Sequence, residues 1–420
     1  MAERNWAGNV QYGAGRFHQP TTVDDVQSSV AASIKVRAVG SRHSFNTIAD
    51  TTGAQISLAN LDRVVDIDSV AHTVTIDGGI EYGELATHLD DHGWALANLA
   101  SLPHISVAGA CATGTHGSGV ANGGLATAVT AMQLVAASGD IVEVSRNADG
   151  DLMDALGVHL GAFGIATRLT LEIEPTFTVW QHVYEHLPME AAIEHLGEIM
   201  ADGYSVSLFT TWRPDHVEQV WRKQRLEPDE GDAMAVRLGA VPATRNVHPV
   251  AELPAEPCTE QMGVAGPWHE RLPHFRMGFT PSSGDELQSE LFVAASDGPE
   301  AMRTLIGLGE ELAPVLKISE VRAVAADTLW LSPCYQRDCI VFHFTWVPSW
   351  PEVQPVLARV ESVLEPFSPR PHWGKLSTLG GAVVRARFER LGAFAQLQAE
   401  WDPTGKFRNT YLDNVLVATP

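Results

Sequence analysis

Cysteine is scarce: the 420 residues hold four, Cys111, Cys258, Cys334 and Cys339, and none forms a CxxC pair. That spacing excludes a dense disulfide framework and offers no thiol redox motif, so the thiols read as isolated side chains. Long apolar runs are missing too. No window approaches the ~18 apolar residues that a bilayer-crossing helix needs, and the opening MAERNWAGNVQYG has no basic segment leading into an apolar one. A soluble, cytoplasmic protein is expected. Positive charge is also short, with 28 basic against 51 acidic residues and a formal charge of −23. A field of that sign repels nucleic acid and anionic lipid, and it favours a neutral substrate unless a local basic pocket is built. Seventeen histidines are present, but there is no HExxH, and His269 and His274 are five apart, outside the helical i, i+4 ligand spacing. No metal site is expected.

What is present is the composition of a folded globular protein, 45% hydrophobic and 19% charged. The length suggests two domains. Up to about residue 175, short β-branched runs alternate with glycine-rich turns: strands are expected at 34–39, 54–58, 64–68 and 72–76, and a hairpin at 129–136 and 141–145 around Ser138-Gly139-Asp140. A helix is expected at 81–92, where Leu85 and Leu89 are four apart and Gly93 can close it. Longer segments follow, with a helix at 189–200, strands at 205–211 and 288–293, and a loop at 227–246. A last helix at 391–401 precedes DPTGKFRNTYL. No internal repeat appears.

The richest chemical segment is SLPHISVAGACATGTHGSG, 101–119. Its small residues permit close backbone approach and leave N–H groups free to converge on one guest, which suits a diphosphate. Familiar templates fail on it. Gly109 and Gly114 have P-loop spacing without the lysine, no GxGxxG follows Gly117, and the residues two before and two after Ser118 are His116 and Val120, so no hydrolase elbow forms. With Gly40–Phe45 and GAFGIAT at 161–167, the segment reads as a distributed nucleotide cradle. A second constellation lies further on. In VLKISEVRAV, Glu320 and Arg322 share a strand face, as do Val341, His343 and Thr345 in IVFHFTW. In RPHWGKL, Lys375 follows an aromatic and a glycine, where a lysine can be partly desolvated.

Together these segments resemble the two-domain flavoproteins of the vanillyl-alcohol-oxidase type and, within them, the bacterial alditol (xylitol) oxidases. The resemblance runs nearly end to end, through NWAGN at Asn5, VGSRHSFN at Val39, ASLPHISVAG at Ala100, ATGTHGSG at Ala112, GPWHERLPHF at Gly266, SEVRAVAAD at Ser319, HFTW at His343, RPHWGK at Arg370 and DPTGKF. It implies an α+β fold: an FAD-binding domain made of 1–178 and the C-terminal return 378–420, with an α+β substrate domain, 179–377, between. It implies FAD attached covalently through His43, whose neutral imidazole is a competent nucleophile. The cofactor contacts implied are Gly40, Ser41, Arg42, Ser44, Ser106, Gly109, Thr113, Gly114, His116, Gly117 and Ile165. Substrate-binding residues would be Ser101, Glu320, Arg322, Thr345 and Lys375, with Arg322, Lys375 and Glu320 catalytic. The implied reaction is oxidation of the terminal primary hydroxyl of alditols such as xylitol and sorbitol to the aldose. Hydride passes to flavin N5 and dioxygen is reduced to hydrogen peroxide, with the small Ala100 near the flavin compatible with oxygen access. The partners are thus a small polyol and oxygen, with no nucleic acid or membrane, and a monomer is expected. An aldonolactone oxidase of the same fold and a non-catalytic flavin-binding protein are the competing readings. Arg42 departs from the pattern, standing where a glycine is expected.

Overall fold

The computed structural model describes residues 3–225, 233–279 and 286–417. Strands β1 (Arg16–His18), β2 (Val36–Val39) and β3 (Ala54–Ser57) form a parallel sheet in the order β1-β3-β2. Helix α1 (Val23–Ala31) covers it, because Val26 and Val30, four apart, present one buried face, and the Thr22 hydroxyl caps the first turn by accepting from Asp25 N. The strand expected from residue 34 begins at Val36, leaving Ile34 88% exposed outside it. The expected segments at 64–68 and 72–76 appear as β4 (Val64–Asp68) and β5 (Thr73–Asp77). Helix α2 (Tyr82–Asp91) buries Leu85 and Leu89, and Gly93 at φ 80° closes it in the left-handed region that glycine enters without cost. The hairpin forms as β6 (Val129–Val135) and β7 (Ile141–Ser145), and with β8 (Ile165–Glu172) completes an antiparallel sheet in the order β4-β5-β8-β6-β7.

Two expectations need correction here. The small-residue segment read as a cradle of free backbone N–H groups is helical in part: Val107–Ala112 winds into α3, since Val107, Ala110 and Cys111 are apolar enough to enter the core. The helix at 189–200 is two helices, α4 (Met189–Glu194) and α5 (Leu196–Ala201), because His195 between them leaves the helical region at φ −109°, ψ 21°.

The second half is organised by a nine-stranded antiparallel sheet. Its long strands are β9 (Thr178–Pro188), β10 (Ser205–Thr210), β11 (His216–Gln224), β12 (Leu287–Ala294), β13 (Leu316–Val324) and β14 (Cys339–Trp346), in the order β9-β11-β10-β13-β14-β12. Two-residue strands at Val241–Pro242, Gly266–Pro267 and Arg370–Pro371 complete it. Alternation divides its faces. Leu208, Val220, Val321, Phe342 and Phe344 pack against α4, α5, α6 (Gly298–Ile306) and α7 (Trp350–Leu364) in one core. Each such large side chain contributes roughly 1.5–3 kcal/mol on burial. The opposite face is left for the site. Of the loop expected at 227–246, residues 227–232 lie outside the described residues. The remainder holds a helical turn, Met234–Arg237, and the short strand at Val241, which pairs with β9.

The chain then returns. Helix α8 (Leu391–Trp401) forms as expected, and beyond it Lys406 O accepts from Val36 N at 2.9 Å while Phe407 enters the core of Val26, Val36 and Ile56. Buried Arg37 ties three segments together by donating to Gly161 O (2.8 Å), Leu160 O (2.7 Å) and Phe407 O (2.9 Å). Among the described residues no helix is long and apolar enough to cross a membrane.

Candidate active site

Antiparallel register assembles the charged wall. Glu320 on β13 stands opposite His343 on β14, which stands opposite Glu290 on β12, so three titratable side chains form one rung across the sheet. Adjacent rungs place Ile318, Thr345 and Gln288 together on one side, and Arg322, Val341 and Phe292 on the other. Arg322 pairs with Glu320 and donates to Ser101 Oγ at 2.7 Å. His274 Nε2 meets the other oxygen of Glu320 at 2.8 Å. Burial opposes ionisation of Glu320, but Arg322 and His274 outweigh it and hold its pKa well below the usual carboxylate value. Burial likewise opposes the charge on Arg322, yet Glu320 more than offsets it and its pKa is raised. The result is a fixed guanidinium facing a cavity.

Lys375 supplies the second cation. Its loop leaves Arg370–Pro371, which pairs with β12, and the Asn46 amide holds it by donating to Trp373 O and Lys375 O, both at 2.8 Å. Lys375 Nζ lies 2.9 Å from Glu290 Oε2 and donates to His343 Nδ1 at 2.9 Å, which leaves His343 Nε2 for the Thr345 hydroxyl at 3.2 Å. Burial lowers the pKa of Lys375, with Glu290 opposing and Arg322 adding to the drop. Glu290 is held well below the carboxylate range because Lys375, His116 and His343 overcome its burial. Among the described residues its Oε1 has no hydrogen-bond partner, His343 Nδ1 being 3.6 Å away.

This wall faces the glycine-rich segments across a cavity of about 620 Å³. A smaller one, about 170 Å³, continues from it beneath Gly161 and Ala166, and the two share Gly40, Ser41, Ser44, Ser106, Gly109 and Thr113. The glycines are required for that shape. A Cβ on Gly40 would come 2.2 Å from Ser106 Oγ, and one on Gly109 would come 2.7 Å from the same atom. His43 lies in the larger cavity, stacked on Trp6 at 5.1 Å. Burial takes its pKa down to about 4, the Ser41 backbone opposing the drop, and among the described residues neither ring nitrogen has a partner in good hydrogen-bond geometry. Arg42 adopts φ 64°, the left-handed conformation that suits a glycine. An ion pair with Glu3 at 2.5 Å and the Phe17 ring at 5.3 Å hold it there.

Most of the expected site residues therefore converge: Ser101, Glu320, Arg322, Thr345 and Lys375 line the larger cavity with His43 and Ala100. Three expected cofactor contacts do not line either cavity. Ile165 points into the core and leaves the wall to Ala166, Gly117 is pressed on Asn98 and Leu99, and Gly114 sits against Pro333 and Trp373. His116 does line the larger one, but its Nε2 turns to Glu290 at 3.4 Å, so it belongs to the charged wall. Sequence reasoning passed over Glu290, Lys223 and His372, which also lines the larger cavity, and weighed His274 only as a metal ligand. For Glu290 a signal existed, since a carboxylate inside the apolar strand LQSELFVA calls for a buried cation.

Comparison with known proteins bears on both walls. The FAD binding domain family matches residues 15–145, and the D-arabinono-1,4-lactone oxidase family matches 287–415. An alditol oxidase from Streptomyces sp. (strain IKD472 / FERM P-14339) is 47% identical over 419 residues, spanning 99% of each chain. An L-gulono-1,4-lactone dehydrogenase from Mycobacterium tuberculosis is 28% identical over 98% of each chain. Among solved structures, a glucooligosaccharide oxidase from Acremonium strictum with a 6-S-cysteinyl, 8α-N1-histidyl FAD superposes with TM-score 0.77 at 15% identity, covering 99% of this chain and 94% of the other. A carbohydrate oxidase from Microdochium nivale gives 0.78 at 16% identity, covering 97% and 93%. At these identities the likeness is one of fold, which this chain shares with both oxidases.

Proposed function

Because the chain belongs to the alditol oxidase family, we propose that it is an FAD-dependent oxidase of polyols, converting a terminal CH₂OH to the aldehyde and dioxygen to hydrogen peroxide. The observation that carries this reading is the facing of two walls: a half-buried imidazole whose two ring nitrogens are buried and, among the described residues, unpartnered on one side, and the Arg322–Glu320 and Lys375–Glu290 pairs on the other. The residues fit FAD. Gly40 and Gly109 keep the connecting groove open, and His43, neutral and unpartnered, supports covalent attachment at that side chain. No cysteine is among the described residues lining the larger cavity, so a single linkage is the reading here.

When bound, the flavin supplies the two-electron oxidant that takes hydride from the alcohol carbon and is reoxidised by oxygen. The protein's part is binding and electrostatics. Arg322 and Lys375 lower the cost of negative charge on the reacting oxygen, and removing one such preorganised donor costs about 2.7–4 kcal/mol in comparable sites. Glu320 fixes the guanidinium. Ser101 and Thr345 offer neutral donors and acceptors to neighbouring hydroxyls, a polar set that rejects deoxy analogues by leaving buried groups unpaired. Ala100, with only a methyl at the cavity wall, leaves room for oxygen. The four cysteines are free and buried, which supports work in a reducing cytoplasm.

The test is an aerobic substrate panel with peptide mapping. Peroxide from xylitol and sorbitol, little from L-gulono-1,4-lactone, and flavin mass on the His43 peptide are expected. Lactone turnover without polyol turnover would transfer the site to the lactone-oxidising relatives.

A further inference from the structure

The segment GPWHERLPHF has no role in the reaction as so far described, yet it supplies His274 and anchors Ser101, whose carbonyl accepts from His274 N (3.0 Å) and Phe275 N (3.2 Å). Behind it lies Lys223, on β11 and 1% exposed. Its ammonium uses all three donors, on Leu272 O (2.5 Å), Pro273 O (3.0 Å) and His274 Nδ1 (3.1 Å). An ammonium can only donate, so Nδ1 accepts and the ring proton sits on Nε2, where it is given to Glu320 Oε1 at 2.8 Å. Phe209 and Trp221 hold the ring edge-on at 5.5 and 5.2 Å, so it has little room to turn. A continuous chain then runs from the interior to the cavity: Lys223, His274, Glu320, Arg322, Ser101.

We propose that Lys223 is a positioning residue of the reaction: from inside the protein it fixes the tautomer of His274 and, through it, holds Glu320 on Arg322 and Arg322 on Ser101. The inference rests on Arg322 and Glu320 being the substrate-facing pair. A lysine is an expensive group to bury, and an apolar side chain of similar volume would fill the same space for stability alone. What only a three-donor cation does here is forbid a proton at Nδ1. Burial lowers the His274 pKa to about 4, with Lys223 adding to the drop, Glu320 opposing it and Arg322 contributing last. Burial lowers the pKa of Lys223 itself well below the ordinary lysine value, with Glu320 opposing, Arg322 adding to the drop, Cys258 opposing and Arg271 adding; the two carbonyl oxygens and the ring nitrogen around Nζ, with the ring proton drawn to Nε2 by Glu320, give the ammonium three acceptors. Removing Lys223 frees Nδ1 and lets His274 take a second proton. Glu320 is then shared between two cations and Arg322 loosens.

The first measurement reads the unsubstituted protein, a variant serving only to assign the signal. Long-range ¹H–¹⁵N NMR of the holoenzyme, with the His274 signal assigned through His274→Gln, should show the Nε2–H tautomer with no titration above about pH 5; an Nδ1–H tautomer, or titration in the ordinary histidine range near pH 6.5, overturns the proposal. The second is the pH profile of polyol oxidation. Lys223→Met should lower kcat/KM about ten- to hundredfold, the loss of one charge-assisted bond, and add a fall below about pH 6 that wild type lacks; Lys223→Met in the His274→Gln background should lose that fall. A Lys223→Met profile that parallels wild type at every pH makes the lysine merely structural and overturns the proposal. Absence of polyol turnover by wild type would sink the function instead, while the NMR still decides the relay.

Discussion

The two walls of the cavity are built from opposite materials. The wall proposed for the cofactor is shaped by what is missing, side chains at Gly40 and Gly109, and carries His43, kept neutral by burial. The wall proposed for the substrate is a rung of two carboxylates, Glu320 and Glu290, on either side of a His343 that burial keeps neutral, delivered by strand register and balanced by Arg322 and Lys375. A backbone cradle tolerates little added volume but asks little of charge, whereas the charged wall tolerates no unbalanced ion. The two should therefore fail differently: one by losing the cofactor, the other by keeping it and losing chemistry.

The sharpest break of that contrast is Lys375→Met. Flavin reduction by polyol should slow about 10²–10³-fold with the His43 linkage intact by peptide mass; near-normal reduction, or loss of flavin, would erase the division of labour. Gly40→Ala probes the other wall. Its methyl meets Ser106 Oγ at 2.2 Å, an overpacking of about 1–3 kcal/mol, so flavin content per protein should drop while the holo fraction keeps its polyol KM. A changed KM at full flavin content would show that the walls are not independent. The smallest effect is at the seam. Arg42→Gly removes a left-handed non-glycine conformation worth about 1–2 kcal/mol but also the Glu3 pair and the Phe17 contact, so Tm should move by only a few degrees and flavinylation should persist. Loss of the linkage would give Arg42 a role in the attachment loop that its geometry does not suggest.

Local pattern made much of this legible. Leu85, Leu89 and Gly93 gave α2, the Ser138-Gly139-Asp140 turn gave the β6–β7 hairpin, and E-x-R on β13 gave a shared face. Glu290 was hard to place because its partners, His343, Lys375 and His116, lie 53, 85 and 174 positions away, and the β12–β14 register is what brings His343 beside it. Lys223 was hidden for the same reason, its three acceptors lying 49 to 51 residues onward. The glycine-rich motif misled in the other direction. Gly114 and Gly117 share composition with Gly40 and Gly109, but their tight neighbours are Pro333, Trp373, Asn98 and Leu99, so they serve packing of the segment and not the groove. His195 split a helix whose apolar spacing runs through it, since period alone says nothing of a local break at φ −109°.

The most direct test of the account is an anaerobic titration of the wild-type protein with xylitol, followed in the visible spectrum and then opened to air. The facing walls predict bleaching of a yellow protein by xylitol and return of the colour with release of hydrogen peroxide. A yellow protein that xylitol leaves unbleached at any concentration would contradict them.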